Sequence, residues 1–147
     1  MKNGFTLIEL VVVIAIMAVL SGIILFSVTL YINKGKDSNI SGNLVILIPA
    51  GEVFYNANNN YTGFCGSSIL ENAILQMPVN VDKGCYDAST NPAGVCCGVA
   101  ENGQAWAACA PELSNPDSAF CVDSRGVRKK ISVDSCKLDI TICPLSP

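Results

Sequence analysis

Histidine is absent from the 147 residues, and charged residues make up only 14% of them. Without histidine the chain lacks the commonest general base and the commonest metal ligand. The net charge of −3 is too small to indicate a basic ligand or a general nucleic-acid-binding surface. The sequence also contains no phosphate-binding loop and no recognisable pairing of a nucleophile with a base. We therefore expect no enzymatic activity and no cofactor.

Charge is also missing from residues 10–32, which form a long apolar run. This run is long enough to span a bilayer with some tilt and exceeds the apolar core, about 7–15 residues, of a signal peptide. Glu9 lies at its head, although a charge costs about 2.5–3.5 kcal/mol at a bilayer centre. A signal peptide and a plain anchor are alternatives, but neither explains Gly4, Phe5 and Glu9 together. Glu9 is therefore a candidate functional residue.

The N-terminal motif carries a family resemblance. Gly4, followed by Phe5-Thr6-Leu7-Ile8-Glu9-Leu10 and the apolar run, resembles the N-terminus of type IV pilins and pseudopilins. In that family a membrane peptidase cleaves after the glycine and methylates the new amino terminus, and the mature chains polymerise. The resemblance covers about the first third of the chain. It implies that Gly4 ends a short class III-type leader, that Phe5 becomes the methylated terminus, and that Glu9 is the filament-assembly glutamate.

A filament explains physically why Glu9 is needed. An unpaired carboxylate in a dry core of packed helices is costly, whereas one that faces the positive amino terminus of a neighbouring chain is compensated. Such a pair also fixes the axial offset between subunits, because buried polar groups can set register.

Cysteines are confined to the part of the chain after the apolar run. An even number on one side of a membrane segment predicts disulfides in an oxidising compartment. C-x-x-C spacing is absent, which argues against a metal site. We therefore place this part outside the cytoplasm, although the lysines flanking the run weakly favour the opposite orientation. The eight cysteines are Cys65, Cys85, Cys96, Cys97, Cys109, Cys121, Cys136 and Cys143.

The pairing of these cysteines is only partly constrained by the sequence, because eight allow very many connectivities. Cys96 and Cys97 point to opposite faces of a strand. One of them is expected to join the sheet to the helix side and the other to a loop. We favour a local pair between Cys136 and Cys143, and a pair between Cys96 or Cys97 and Cys121.

The helix is expected to continue beyond the apolar run. Apolar residues recur every three or four positions through residues 40–55, as in an amphipathic helix. Pro49 is expected to kink or break this helix, and the asparagine-rich residues 56–60 to end it. The chain then divides into a leader (1–4), a membrane and assembly half of the helix (5–32), an amphipathic half (33–59) and a head (60–147).

The head is expected to be a small β-rich domain stapled by disulfides. Residues 67–75 suggest a short helix. Four apolar segments then follow, and Asn102-Gly103 is a strong hairpin signal between the first two. They predict an antiparallel meander with one face on the amphipathic half of the helix. The predicted fold class is therefore α+β, and Trp106 is expected in the core. The four segments are 95–100, 104–109, 119–123 and 127–131.

Two weaker signals concern ligands. A small basic group around a turn is expected to be a charged strand edge, with binding of DNA or an anionic surface as the alternative. Asp134 and Asp139 offer few oxygens for calcium, so calcium is possible but not expected. The basic residues are Arg125, Arg128, Lys129 and Lys130.

The function predicted from the sequence is that of a structural subunit of a type IV pilus-like filament. A pseudopilin of a type II secretion system and a membrane-anchored extracytoplasmic binding domain are the alternatives. The expected partners are identical or related pilin subunits, the prepilin peptidase and methyltransferase, the pilus or secretion assembly machinery, and the inner membrane. The chain is expected first in that membrane, with a single N-terminal span, and then in a surface or periplasm-spanning filament. The sequence leaves nucleic-acid binding, the major or minor role of the subunit, glycosylation and the filament symmetry open.

Overall fold

The N-terminal part of the molecule is one long helix. The computed structural model describes residues 6–79 and 94–144. Helix α1 (Leu7–Asn58) runs without interruption through the apolar and the amphipathic halves. It ends one residue before the expected position, where Asn59 adopts a left-handed φ of 57°.

Pro49 does not break α1, so that part of the prediction is wrong. Leu47 and Gly51, on either side of the proline, are buried against the head. Because packing of an amphipathic face supplies most of a helix's stability in a protein, these contacts hold the turn in which proline removes a hydrogen bond.

The described part of the head contains two short helical segments, four strands and a final turn. The expected short helix is confirmed as α2. Ser67 occupies its N-cap position, but the hydroxyl donates to the Phe64 carbonyl (2.7 Å) and does not cap the helix. The elements are a 3₁₀ turn (Phe64–Gly66), α2 (Ser68–Leu75), β1 (Cys96–Val99), β2 (Trp106–Pro111), β3 (Ser118–Asp123), β4 (Arg128–Ser132) and a 3₁₀ turn (Val133–Ser135).

The sheet is the predicted antiparallel meander. Its order is β1-β2-β3-β4, so β1 and β4 are its edges. The hairpin at Asn102-Gly103 is also confirmed. The Ala100 N–H donates to the Ala105 carbonyl, and the Gly103 N–H donates to the Ala100 carbonyl, both at 2.8 Å.

One face of the sheet packs on α1, as predicted. Ile40, Leu44 and Leu47 recur at helical spacing and are buried in this core. Trp106 is 0% exposed, and its ring centroid lies 4.7 Å from that of Phe64. Trp106 is therefore a core residue, as expected.

The opposite face of the sheet is covered by the C-terminal tail, residues 133–144, which the sequence did not predict. Cys96, Cys109 and Cys121 occupy facing positions on three adjacent strands. They form a second buried cluster with Cys136 and Cys143 of the tail. The central strands β2 and β3 are therefore covered on both faces.

The structure shows three disulfides among the described residues: Cys65–Cys97, Cys109–Cys136 and Cys121–Cys143. Cys96 is also disulfide-bonded, and Cys85 lies outside the described residues.

Both favoured pairings are wrong. The tail crosses the outer face of the sheet, so Cys136 reaches β2 and Cys143 reaches β3, and they do not meet each other. Cys121 is thereby unavailable to Cys96 or Cys97. The expectation that Cys96 and Cys97 serve opposite faces is confirmed, since Cys97 packs on the helix-facing core and Cys96 in the tail-facing cluster.

Candidate membrane and assembly site

The first half of α1 carries apolar side chains on all sides. Every side chain from residue 7 to residue 25 is exposed. The helix is long and apolar enough to cross a membrane. A helix that is hydrophobic all round is not stable in water and requires lipid or other protein around it.

Glu9 lies in the first turn of this helix and is held by Thr6. Its carboxylate Oε2 accepts a hydrogen bond from the Thr6 backbone N–H at 2.9 Å and from the Thr6 hydroxyl at 2.8 Å. The Glu9 N–H donates back to Thr6 Oγ1 at 3.4 Å. This reciprocal capping box places a negative charge at the positive end of the helix dipole. The charge is thus stabilised locally, even without a neighbouring chain.

Thr6 is a helix-capping residue that the sequence analysis did not identify. The pattern Thr6-x-x-Glu9 before an apolar run is the known signature of a capping box, so the signal was present. Gly4 and Phe5, the predicted cleavage and methylation residues, lie outside the described residues. Their roles stay predictions.

Two of the four basic residues around the turn before β4 are engaged in ion pairs. Arg125 pairs with Asp123 at 2.6 Å, and Lys130 pairs with Glu112 at 2.6 Å. Arg128 and Lys129 lie on β4, at the edge of the sheet. This arrangement fits the charged strand edge expected from the sequence.

Metal ligands were expected to be absent. Among the described residues, possible ligands come together in threes only at Cys96, Cys109 and Cys136. Those sulfur atoms are in disulfides, whereas metal binding requires thiolates. Asp134 and Asp139 belong to no such group within residues 6–79 and 94–144.

Asp123 is a buried carboxylate that holds the tail on the sheet. It is 0% exposed. It accepts hydrogen bonds from Arg125 Nη2 (2.6 Å) and from the backbone N–H groups of Arg125, Val127 and Cys143. Burial alone raises the pKa of Asp123, but these donors outweigh it and the pKa lies below its usual value. The ionised form is therefore part of the folded structure.

Asp37 makes a comparable contact between α1 and the head. Its carboxylate accepts hydrogen bonds from the backbone N–H groups of Leu113 (2.6 Å) and Ser114 (3.0 Å). These residues are 76 and 77 positions apart from Asp37 in the chain. No local sequence pattern indicates such a contact. It attaches the loop between β2 and β3 to α1.

Comparison with known proteins agrees with this geometry. Residues 1–25 match the family model described as the prokaryotic N-terminal methylation motif. The chain is also 29% identical over 114 residues to the type IV wide pilus major component PilA4 of Thermus thermophilus, a match that covers 76% of this chain and 86% of that protein. No solved structure matches the chain. The methylation motif, the long apolar helix and the similarity to a pilin together support a type IV pilin family and a pilin-type or pseudopilin-type subunit.

Proposed function

We propose that this protein is a structural subunit of a type IV pilus-like filament. It enters the inner membrane as a prepilin with its head outside the cytoplasm, is cleaved after Gly4 and methylated at Phe5, and then polymerises through α1. The observation that carries this proposal is the first half of α1, which is apolar all round and uncovered by its own head. Lipid covers this surface before assembly, and neighbouring helices cover it afterwards.

The proposed contact between subunits is of the head-to-tail kind. The two surfaces that meet are different parts of the molecule, so the contact does not close and generates an open helical polymer. On leaving lipid, Glu9 would exchange its bonds with Thr6 for the amino terminus of a neighbouring chain. Within the described residues, the buried core of the head packs on the second half of α1, so we assign that exchange to the first half of the helix.

Two observations favour a pilus over a pseudopilus. The relative that covers most of the chain is named as the major component of a wide pilus. The head is also densely cross-linked, which suits permanent exposure outside the cell. The partners we propose are related pilin subunits, the prepilin peptidase and methyltransferase and the assembly machinery. We propose no cofactor.

Replacement of Glu9 tests this proposal. We expect Glu9→Val to leave a stable membrane protein that still begins at a methylated Phe5 but forms no filaments. The loss of one partner from a buried ion pair costs about 3–5 kcal/mol, and in the filament that cost falls on assembly. Filaments are counted by electron microscopy, the membrane-held pool is measured by immunoblot, and the mature terminus is identified by mass spectrometry.

Glu101→Val is the matched control, because Glu101 is an exposed glutamate in the hairpin of the head. This variant should assemble normally. Filaments of Glu9→Val at the parent's yield would contradict the role proposed for Glu9. Surface filaments that persist after deletion of the gene would contradict a major structural role.

A further inference from the structure

Strand β2 runs beside α1 toward the membrane end of the helix. At one end of the strand, a Cβ on Gly51 would lie only 2.6 Å from Trp106 Nε1, so the tryptophan rests on the helix at that level. Just past the other end of the strand, the Leu113 backbone N–H donates a hydrogen bond to the Asp37 carboxylate. The helix between Asp37 and Gly51 is about 21 Å long, and the strand path from Trp106 to Leu113 is about 23 Å long. The strand and helix are therefore antiparallel, and the loop of residues 112–117 is the end of the sheet nearest the apolar half of α1.

This loop lies at the depth of lipid headgroups when the apolar run spans a bilayer. The run ends at Ile32, and Asp37 is about 7.5 Å further along the helix. The headgroup region on each side of a bilayer is about 5–7.5 Å thick, so Asp37 lies at its outer limit. Tyr31, which is 72% exposed, marks the interface because tyrosines concentrate there in membrane proteins.

A second part of the head reaches the same level on α1. Gln76, Met77 and Pro78, which follow α2, line a cavity together with Ile32 and Lys36. The loop of residues 112–117 and this segment together form a base, which we define as the underside of the head around residues 32–39 of α1.

The chemistry of the base suits a phospholipid surface. Leu113 is an apolar side chain that is 41% exposed, and the interfacial region of a bilayer is a better environment for it than water. The nearby carboxylates of Asp37 and Glu112 are engaged, by backbone amides and by Lys130 respectively. Lys34 and Lys36 are exposed and make no ion pair within the described residues. The two lysines outweigh Asp117, the exposed carboxylate at the far end of the loop.

A cavity of about 340 Å³ opens at this base. Lys34, Ser38, Ser41 and Ser114 are among the residues that line it. The Ser38 and Ser41 hydroxyls donate to backbone carbonyls of α1, and the carboxylates of Asp37 and Glu112 also line the cavity. The Lys34 ammonium is therefore the group in this lining that offers hydrogen bonds to the phosphate of a lipid whose acyl chains lie beside α1.

We propose that the base of the head is a phospholipid-binding surface in the membrane-anchored chain. Leu113 enters the interfacial region, and Lys34 binds headgroup phosphate. The inference rests on the proposed function in requiring that α1 spans a membrane, but it adds a contact that filament assembly does not need. The head is therefore in direct contact with the bilayer surface.

Tryptophan scanning of the full chain in lipid vesicles tests the inference. Leu113→Trp, Val53→Trp and Val13→Trp are reconstituted separately in vesicles of phosphatidylethanolamine and phosphatidylglycerol that carry a quencher high on the acyl chain. The fluorescence of each introduced tryptophan is obtained by subtracting the fluorescence of the parent protein. The parent's Trp106 is buried and gives a constant background. We expect Leu113→Trp to be quenched almost as strongly as Val13→Trp in the span.

Val53→Trp is the matched control. Val53 is 67% exposed on the same helix, but it lies about 24 Å further from the membrane than Asp37, so it should not be quenched. If Val13→Trp is quenched and Leu113→Trp is not, the lipid contact is refuted while the membrane span stands. Equal quenching at residues 113 and 53 also refutes a contact confined to the base. If Val13→Trp itself escapes quenching, the span fails and the inference fails with it.

Discussion

The Asp123 side chain is inaccessible to solvent, so its charge has to be stabilised within the fold. Arg125 and three backbone N–H groups surround its carboxylate, and one of those groups belongs to Cys143 of the tail. Glu9 and Asp37 use backbone N–H donors in the same way, one at the start of α1 and the other at the base of the head. In each case a carboxylate fixes a segment that regular secondary structure does not hold.

We expect Asp123→Asn to destabilise the head by about 1.5–3 kcal/mol at neutral pH, because the substitution weakens the hydrogen bonds that the buried carboxylate accepts from Arg125 and from the backbone N–H groups. The pKa of Asp123 is lowered in the folded protein. The stabilisation is therefore fully present above the unfolded pKa of about 3.9 and is lost as the pH falls through the lower folded pKa. The difference between parent and variant should shrink in acid. Denaturant unfolding of the detergent-solubilised chain over a range of pH measures it.

Asp117→Asn is the control for this measurement, since Asp117 is an exposed carboxylate in the loop between β2 and β3. It should change the unfolding free energy little at any pH. A constant difference between Asp123→Asn and the parent down to strongly acidic pH would contradict the role assigned to the ionised carboxyl.

Among the secondary-structure elements, α1 shows how helix propensity and packing compete. Gly42 and Gly51 lie in the same amphipathic half of the helix. A Cβ at Gly42 would meet nothing within 4 Å, whereas one at Gly51 would lie 2.6 to 2.9 Å from three atoms of the Trp106 ring. The two glycines therefore have opposite consequences for stability.

We expect Gly42→Ala to stabilise the protein by about 0.5–1 kcal/mol, because alanine favours the helix. Gly51→Ala gains the same propensity, but it displaces a core tryptophan, and such overpacking costs about 1–3 kcal/mol. Its net effect should be destabilising. Thermal unfolding followed by circular dichroism compares the two variants, and equal shifts of the same sign would contradict the close contact between α1 and Trp106.

The elements themselves could be predicted from the sequence because their signals are local. The period of the apolar residues indicated α1, and the asparagine-rich stretch after it indicated its end. The Asn102-Gly103 turn indicated the first hairpin. The contact between Asp37 and Leu113 was not predictable, since it depends on how far β2 extends along α1 and not on any nearby residue.

At the scale of the whole molecule, the tail completes the head. Its two cysteines form disulfides with the central strands β2 and β3. The Asp123 carboxylate accepts hydrogen bonds from the N–H of Cys143 in the tail and from the N–H of Val127 in the turn before β4. The eight cysteines predicted a cross-linked head, but not its pairing. The pairing depends on the strand register that aligns Cys96, Cys109 and Cys121, and on the path of the tail across them. Neither is encoded in the spacing of the cysteines.

Peptide mapping without reduction should recover Cys109 linked to Cys136 and Cys121 linked to Cys143. The double replacement Cys121→Ser with Cys143→Ser should lower stability by about 2–4 kcal/mol and expose the tail to protease. Removal of Cys65 and Cys97 together should cost a similar amount while the tail stays protected. A peptide in which Cys136 is linked to Cys143 would contradict the described arrangement.

Cysteine is absent before Cys65, so no disulfide can involve the helix through which the subunits are proposed to polymerise. In a fibre of such subunits, the packed helices alone would carry the tension along the axis. The disulfide-linked heads would lie around the helices and carry none of it. A reducing environment would then deform the outer coat of the fibre and leave its tensile strength intact.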